Sequence, residues 1–152
     1  MRTIGIRTAP KELVFAIYCS EEEKILNIEK LSIPRALSTP EQLKFVRNTI
    51  LDILDEYKVE KAGIRVTEPN AQRINVERVQ IEGVVQEAFA SSPLVSYFIG
   101  QVSNISAKVG IPRTDFKKVV SGEKVFERVE NWNSLSSNER EAVLASLGAA
   151  NV

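Results

Sequence analysis

The segment LSIPRALSTPEQLKFVRNTILDILDEYKVEKAGIRV, residues 31–66, carries a strand end, a punctuated helix and a second strand in one continuous reading. Thr39 stands as a helix N-cap, Pro40 takes the first helical position, where its missing N–H is no loss, and Gln42 follows three residues after the cap. Leu43, Val46, Ile50, Ile53, Leu54 and Tyr57 then recur on one side, so residues 40–57 are predicted to form an amphipathic helix. After it, KAGIRV (61–66) reads as a short buried strand. Arg65 is its anomaly, because a guanidinium at the end of a core strand is costly unless a counterion or a ligand meets it.

The same three letters occur at the start of the chain, where TIGIRTA holds Gly5, Ile6 and Arg7. Residues 2–7 and 11–18 (KELVFAIY) are apolar, β-branched or aromatic runs separated by Thr8, Ala9 and Pro10, the pattern of a hairpin. A third strand is expected at 24–31 (KILNIEKL), with Glu21, Glu22 and Glu23 forming a solvated turn before it.

Beyond residue 66, a second helix is predicted over 72–90, with Ile81, Val84, Val85, Ala88 and Phe89 as its buried face. Gly83 lies within it, at a cost of ~1 kcal/mol relative to alanine, which suggests close packing against a neighbour. LVSYFI (94–99) is an apolar strand introduced by Pro93, and short helices are expected at 103–109 and 113–121, separated by Gly110 and Pro112. Ser136 with Glu139 forms a capping box that opens a last helix to about residue 147. The order is β-β-β-α-β-α-β-α-α-α, read as a single domain over 1–152.

Composition removes several classes of function. Twenty basic and twenty acidic residues cancel, so no global positive field collects phosphates, and any nucleic-acid contact is local. With no histidine, His-dependent triads, zinc sites and facial triads are excluded, leaving carboxylates with a hard cation such as magnesium as the only metal chemistry. The one cysteine, Cys19, forms no internal disulfide; the chain opens on a strand pattern, and no apolar run approaches the ~20 residues of a membrane span. A cytoplasmic protein without membrane attachment is the expectation. There is no P-loop, GxGxxG, CxxC or GxSxG motif.

The element order, together with Gly5-Ile6-Arg7, residues 31–66, VQIEGVVQEAF (79–89) and EAVLASLGAA (141–150), resembles the ribonuclease H-like superfamily, and within it the Holliday-junction resolvase RuvC and its relatives. The resemblance implies an α/β fold with a mixed five-stranded sheet flanked by helices. It also implies acids at the ends of the first and fourth strands and on the last helix, holding two divalent cations about 4 Å apart for hydrolysis. The sequence has Arg7 and Arg65 at the first two of these positions and Glu141 at the third. Guanidiniums stay protonated at ordinary pH and repel cations, so the two-metal site is expected to be dismantled and no metal or cofactor is expected. Glu68 and Glu139 are the nearest replacement acids; Glu139 is explained by its capping box and Glu68 by a polar turn with Pro69 and Asn70. Glu141 itself also reads as a first-turn acid favoured by the helix dipole.

Arg7 and Arg65 have two readings. They form an ion-pair cluster with Glu141 or Glu68, the favoured one, or they make a fork for phosphate or carboxylate at the carboxyl ends of strands. Lys108, Arg113, Lys117 and Lys118, with Lys124, give 101–125 a local positive excess that tracks a phosphate backbone or is simply a solvated face. Tyr97, Phe98 and Trp132 read as core or interface packing rather than base-stacking platforms. The expected function is a non-catalytic binding or interaction protein, a homodimer as the resemblance implies. The alternatives are a divergent metal-dependent nuclease and a nucleic-acid-binding protein acting on DNA or RNA.

Overall fold

The computed structural model describes residues 1–152. β1 (Arg2–Thr8), β2 (Glu12–Cys19) and β3 (Lys24–Ser32) form an antiparallel meander, β1 pairing with β2 from Arg2–Cys19 to Thr8–Leu13. The β2–β3 register shifts between Ile17 and Tyr18. β4 (Lys61–Arg65) joins β1 in parallel, and β5 (Ser96–Gly100) joins β4 in parallel, so the sheet order is β3-β2-β1-β4-β5. β5 begins two residues later than its apolar run, because the Val95 N–H is spent on the Glu60 carbonyl outside the ladder.

α1 (Thr39–Glu56) and α2 (Val76–Ala90) cover one face of this sheet. The cap of α1 corrects the sequence reading by one residue. Ser38 is the N-cap, and Glu41 accepts from the Ser38 backbone N–H at 2.9 Å and from its hydroxyl at 2.6 Å. A carboxylate three residues past the cap also meets the positive end of the helix dipole, which the neutral Gln42 does not. α2 starts at Val76 rather than near residue 72, since Asn75 accepts from the Arg78 N–H at 2.9 Å and ends the preceding turn.

The other face is covered by α3 (Val102–Val109), α4 (Phe116–Ser121) and α5 (Ser137–Ala149). The helix expected over 113–121 divides into a 3-10 turn at Arg113–Asp115 and the short α4. α5 opens on the Ser136 and Glu139 capping box as its spacing foretold. Trp132 lies in a second 3-10 turn, 1% exposed, with its indole N–H donating to the Val119 carbonyl at 2.9 Å. Phe98 is buried and Tyr97 half-exposed against Phe89.

Two cores result. Ile4, Ile6, Phe15, Ile17 and Ile64 pack against α1 and α2, while Val14, Ala16, Tyr18 and Phe98 pack against α3, α4 and α5. Strands covered on both faces read as continuous apolar runs, and β1 from Thr3 to Thr8 is buried at every position. α5 lies directly on the middle of the sheet: a Cβ on Gly5 would strike the Ala142 carbonyl oxygen and the Ser146 nitrogen, and one on Gly63 would strike the Phe98 ring and the Ala145 carbonyl. Gly83 does not fit the expectation of close packing. It is exposed on α2, and a Cβ there would meet nothing within 4 Å.

Candidate functional site

The two GIR triplets lie side by side in the parallel pair, Gly5 opposite Gly63, Ile6 opposite Ile64 and Arg7 opposite Arg65. Side chains alternate across a sheet, so each triplet sends its isoleucine into the α1–α2 core and its glycine and arginine toward α5. The glycines let the α5 backbone settle on the strands, and one step further along the same face the arginines meet its first turns. The repeated motif is thus a docking device for a single helix.

Glu141 of α5 receives both arginines. Arg7 Nε pairs with its Oε2, and Arg65 Nε stands 3.6 Å from its Oε1, so each oxygen faces one guanidinium. Arg7, Arg65 and Glu141 are 8%, 6% and 8% exposed. Arg7 Nη1 also donates to the Arg65 carbonyl at 3.1 Å, and Arg65 Nη1 donates to the Val66 carbonyl. Arg65 Nη1 lies 3.6 Å from Glu68 Oε2, and its guanidinium sits over the Phe116 ring at 5.8 Å. Neither Nε makes a hydrogen bond, so both arginines meet Glu141 as ion pairs while their Nη1 atoms hold backbone carbonyls. Burial pulls the Arg7 guanidinium down to about 10; Glu141 resists this, and Arg78 and Arg65 add to it.

Glu68 has a second task. Its Oε1 accepts from the Val102 N–H at 3.1 Å, tying the turn after β4 to the start of α3. Glu139 is occupied by its cap, accepting from the Ser136 N–H at 2.8 Å. The residues at this centre do not fit a pair of divalent cations. Two of the three positions where the resemblance implies acids carry guanidiniums, the third carboxylate is already bracketed by them, and no three acidic or thiol side chains converge anywhere in the chain.

Beside this cluster opens a cleft of about 540 Å³, lined among others by Arg65, Glu68, Glu141, Arg113, Lys117 and Phe116. The structure therefore brings Arg113 and Lys117 to the arginine centre, and leaves Lys108 and Lys118 outside the cleft. Lys108 lies over the Phe98 ring, its Nζ 5.2 Å from the centroid. Lys124 pairs with Asp115 at 2.9 Å.

Two buried charges escaped the sequence reading. Glu82 of α2, 4% exposed, accepts from the Thr67 N–H at 3.1 Å, from the Thr67 hydroxyl at 2.8 Å and from the Thr8 hydroxyl at 3.3 Å. It clasps the ends of β1 and β4 from the face opposite Glu141. Its signal was an acid three and seven residues before Val85 and Phe89, inside the apolar stripe. Arg140 of α5, 7% exposed, donates to the carbonyls of Trp132, Val120 and Asn133 at 3.1, 3.0 and 3.3 Å, latching the segment between α4 and α5. Nothing in its local pattern marks it.

Sheet order, the helices on both faces and the strand-end centre define an α/β protein of the ribonuclease H-like fold, and within that fold the architecture is of the RuvC type. Thermus thermophilus RuvC in complex with a Holliday junction substrate superposes with a TM-score of 0.70 at 13% identity, over 99% of this chain and 93% of that one. A second Thermus thermophilus RuvC structure gives 0.72 at 12% identity over the same shares of both chains. The yeast mitochondrial Holliday junction resolvase gives 0.62 at 9% identity, over 98% of this chain and 78% of that one. No sequence family and no curated protein matches the chain. No helix is long and apolar enough to cross a membrane.

Proposed function

We propose that this chain is a non-catalytic RuvC-like protein that binds rather than cleaves. The observation that carries the reading is the bracketing of Glu141 by Arg7 and Arg65 at the strand ends. A carboxylate neutralised from both sides has no free charge to hold magnesium, and two fixed cations beside it oppose any metal that approaches. The test is nuclease activity on four-way junctions, single-stranded DNA and RNA–DNA hybrids with magnesium or manganese. No cleavage is expected. Metal-dependent cleavage abolished by Glu141→Ala or Glu68→Ala would establish the divergent-nuclease alternative instead.

A nucleic-acid partner is supported by Arg113 and Lys117 at the rim of the cleft, and by the Holliday junction held in the Thermus thermophilus RuvC complex. Such binding weakens steeply with added salt and on charge reversal of Lys117; a flat salt response removes this partner. A homodimer belongs to the same reading. Val76 and Val79 are 67% and 41% exposed on α2, and with the bare Gly83 they leave a helix face smooth enough for a second copy to approach closely. Val79→Glu then converts dimer to monomer by light scattering.

A further inference from the structure

We propose that the cleft beside the arginine cluster is a metal-free binding site for a phosphate monoester carried on a nucleoside, either a free nucleotide or the 5′ end of a strand. Its floor is the buried Arg65, whose guanidinium lines the cleft while its Nε faces Glu141 Oε1 at 3.6 Å. Its wall is Arg113 and Lys117, both exposed and neither within ion-pair distance of a carboxylate. Ser137, the first residue of α5, lines the same cleft; its hydroxyl and its N–H, a group without an intrahelical acceptor, stand at the positive end of the helix dipole.

Charge selects the ligand. With Arg7 behind Glu141, four cations meet two carboxylates, an excess of two positive charges. A phosphate monoester carries between about one and a half and two negative charges at neutral pH, which nearly closes that balance. A phosphodiester, with a single negative charge, leaves one cation uncompensated. Volume adds the second part: about 540 Å³ exceeds what a phosphate fills and lies within the ~300–1,000 Å³ of small-molecule sites. The half-buried apolar side chains of Val102 and Val120 give the remainder a surface for a sugar and base.

The inference builds on the non-catalytic reading above, but its test is made in EDTA. Cleavage found in the nuclease assay would overturn that reading and leave this measurement standing. Calorimetry compares 5′-AMP with adenosine, and a short 5′-phosphorylated oligodeoxyadenylate with its 5′-hydroxyl form. Both phosphorylated probes are expected to bind and both unphosphorylated ones to fail. Arg113→Gln and Lys117→Gln, exposed positions whose melting curves serve as the folding control, are each expected to weaken binding roughly tenfold, the loss of one charge-assisted contact. Tighter binding of the oligomer than of AMP assigns the site to a strand end, and equal binding to a free nucleotide. Absence of binding by both phosphorylated probes, equal binding of adenosine and AMP, or unchanged affinity in both variants would overturn the proposal.

Discussion

Arg7 and Arg65 are register partners across the parallel β1–β4 pair, and their guanidiniums face opposite oxygens of one carboxylate, Glu141. Two like charges on neighbouring core strands repel each other, and the helix that crosses them supplies the counterion. Sheet register, helix docking and charge compensation are thus one arrangement, and removing Glu141 leaves Arg7 buried without a carboxylate and Arg65 with Glu68 alone.

Removing the carboxylate alone is therefore expected to be severe. Glu141→Gln leaves two buried guanidiniums facing an amide and should lower unfolding free energy by about 3–5 kcal/mol in urea titrations. The triple variant Arg7→Met, Arg65→Met, Glu141→Leu is expected to recover most of that loss, because it abolishes the desolvation cost of all three charges together. A triple variant no more stable than Glu141→Gln would mean that the arginines contribute through contacts other than the ion pair.

The metal chemistry yields a reciprocal expectation. Magnesium should leave the melting temperature of the natural chain unchanged. The Arg7→Asp, Arg65→Glu double variant places three acids at one point and should be destabilised without metal but stabilised by magnesium in a concentration-dependent way, as binding to the folded state alone requires. Thermal melts with and without EDTA read both. Magnesium stabilisation of the natural chain itself would contradict the bracketed-carboxylate account.

Two glycines should respond in opposite directions to the same substitution. Gly5→Ala drives a methyl group into the α5 backbone at Ala142 and Ser146 and should cost about 3 kcal/mol or more. Gly83→Ala meets open space within its own chain and, measured on the Val79→Glu background that keeps the chain monomeric, should stabilise by roughly 0.5–1 kcal/mol. Urea midpoints of the two variants check both signs.

Legibility followed locality. The strands, the α1 and α5 helices and the arginine anomaly were readable because apolar period, caps and the GIR echo are properties of neighbouring residues. The α1 cap was misplaced because Ser38 and Thr39 each precede a Glu or Gln by three residues, and charge at Glu41 decides between them. Gly83 was misread because a glycine in a helix looks the same whether it is crowded or bare. The meeting of Arg113 and Lys117 with Arg65 was hidden for a deeper reason: it depends on the chain returning from β5 over the end of β4, a tertiary fact with no sequence period. Glu82 lay in plain view within an apolar stripe, and only the buried Thr8 and half-buried Thr67 that donate to it give it a role.

The remaining expectation concerns pH. Arg7 is depressed from its ordinary value to about 10, first by burial and then by Arg78 and Arg65, with Glu141 opposing. A group whose folded value lies below its unfolded one contributes stability that is fully present above the unfolded value and is lost as pH falls through the folded one. Between about pH 6 and 9 Arg7 is charged in both states, so its contribution is flat there and holds its full desolvation cost. Above about pH 10 the folded state releases the proton before the unfolded state does, and that cost is progressively relieved. Lysines and tyrosines also titrate in this range, so the measurement is a difference: the unfolding free energy of the natural chain minus that of Arg7→Met, from urea titrations at steps between pH 8 and 11. The difference should stay level to about pH 9 and then move in favour of the natural chain. A level difference throughout would show that Arg7 keeps its proton as an exposed arginine does, and that its burial against Glu141, Arg78 and Arg65 is looser than the packing of β1 against α5 requires.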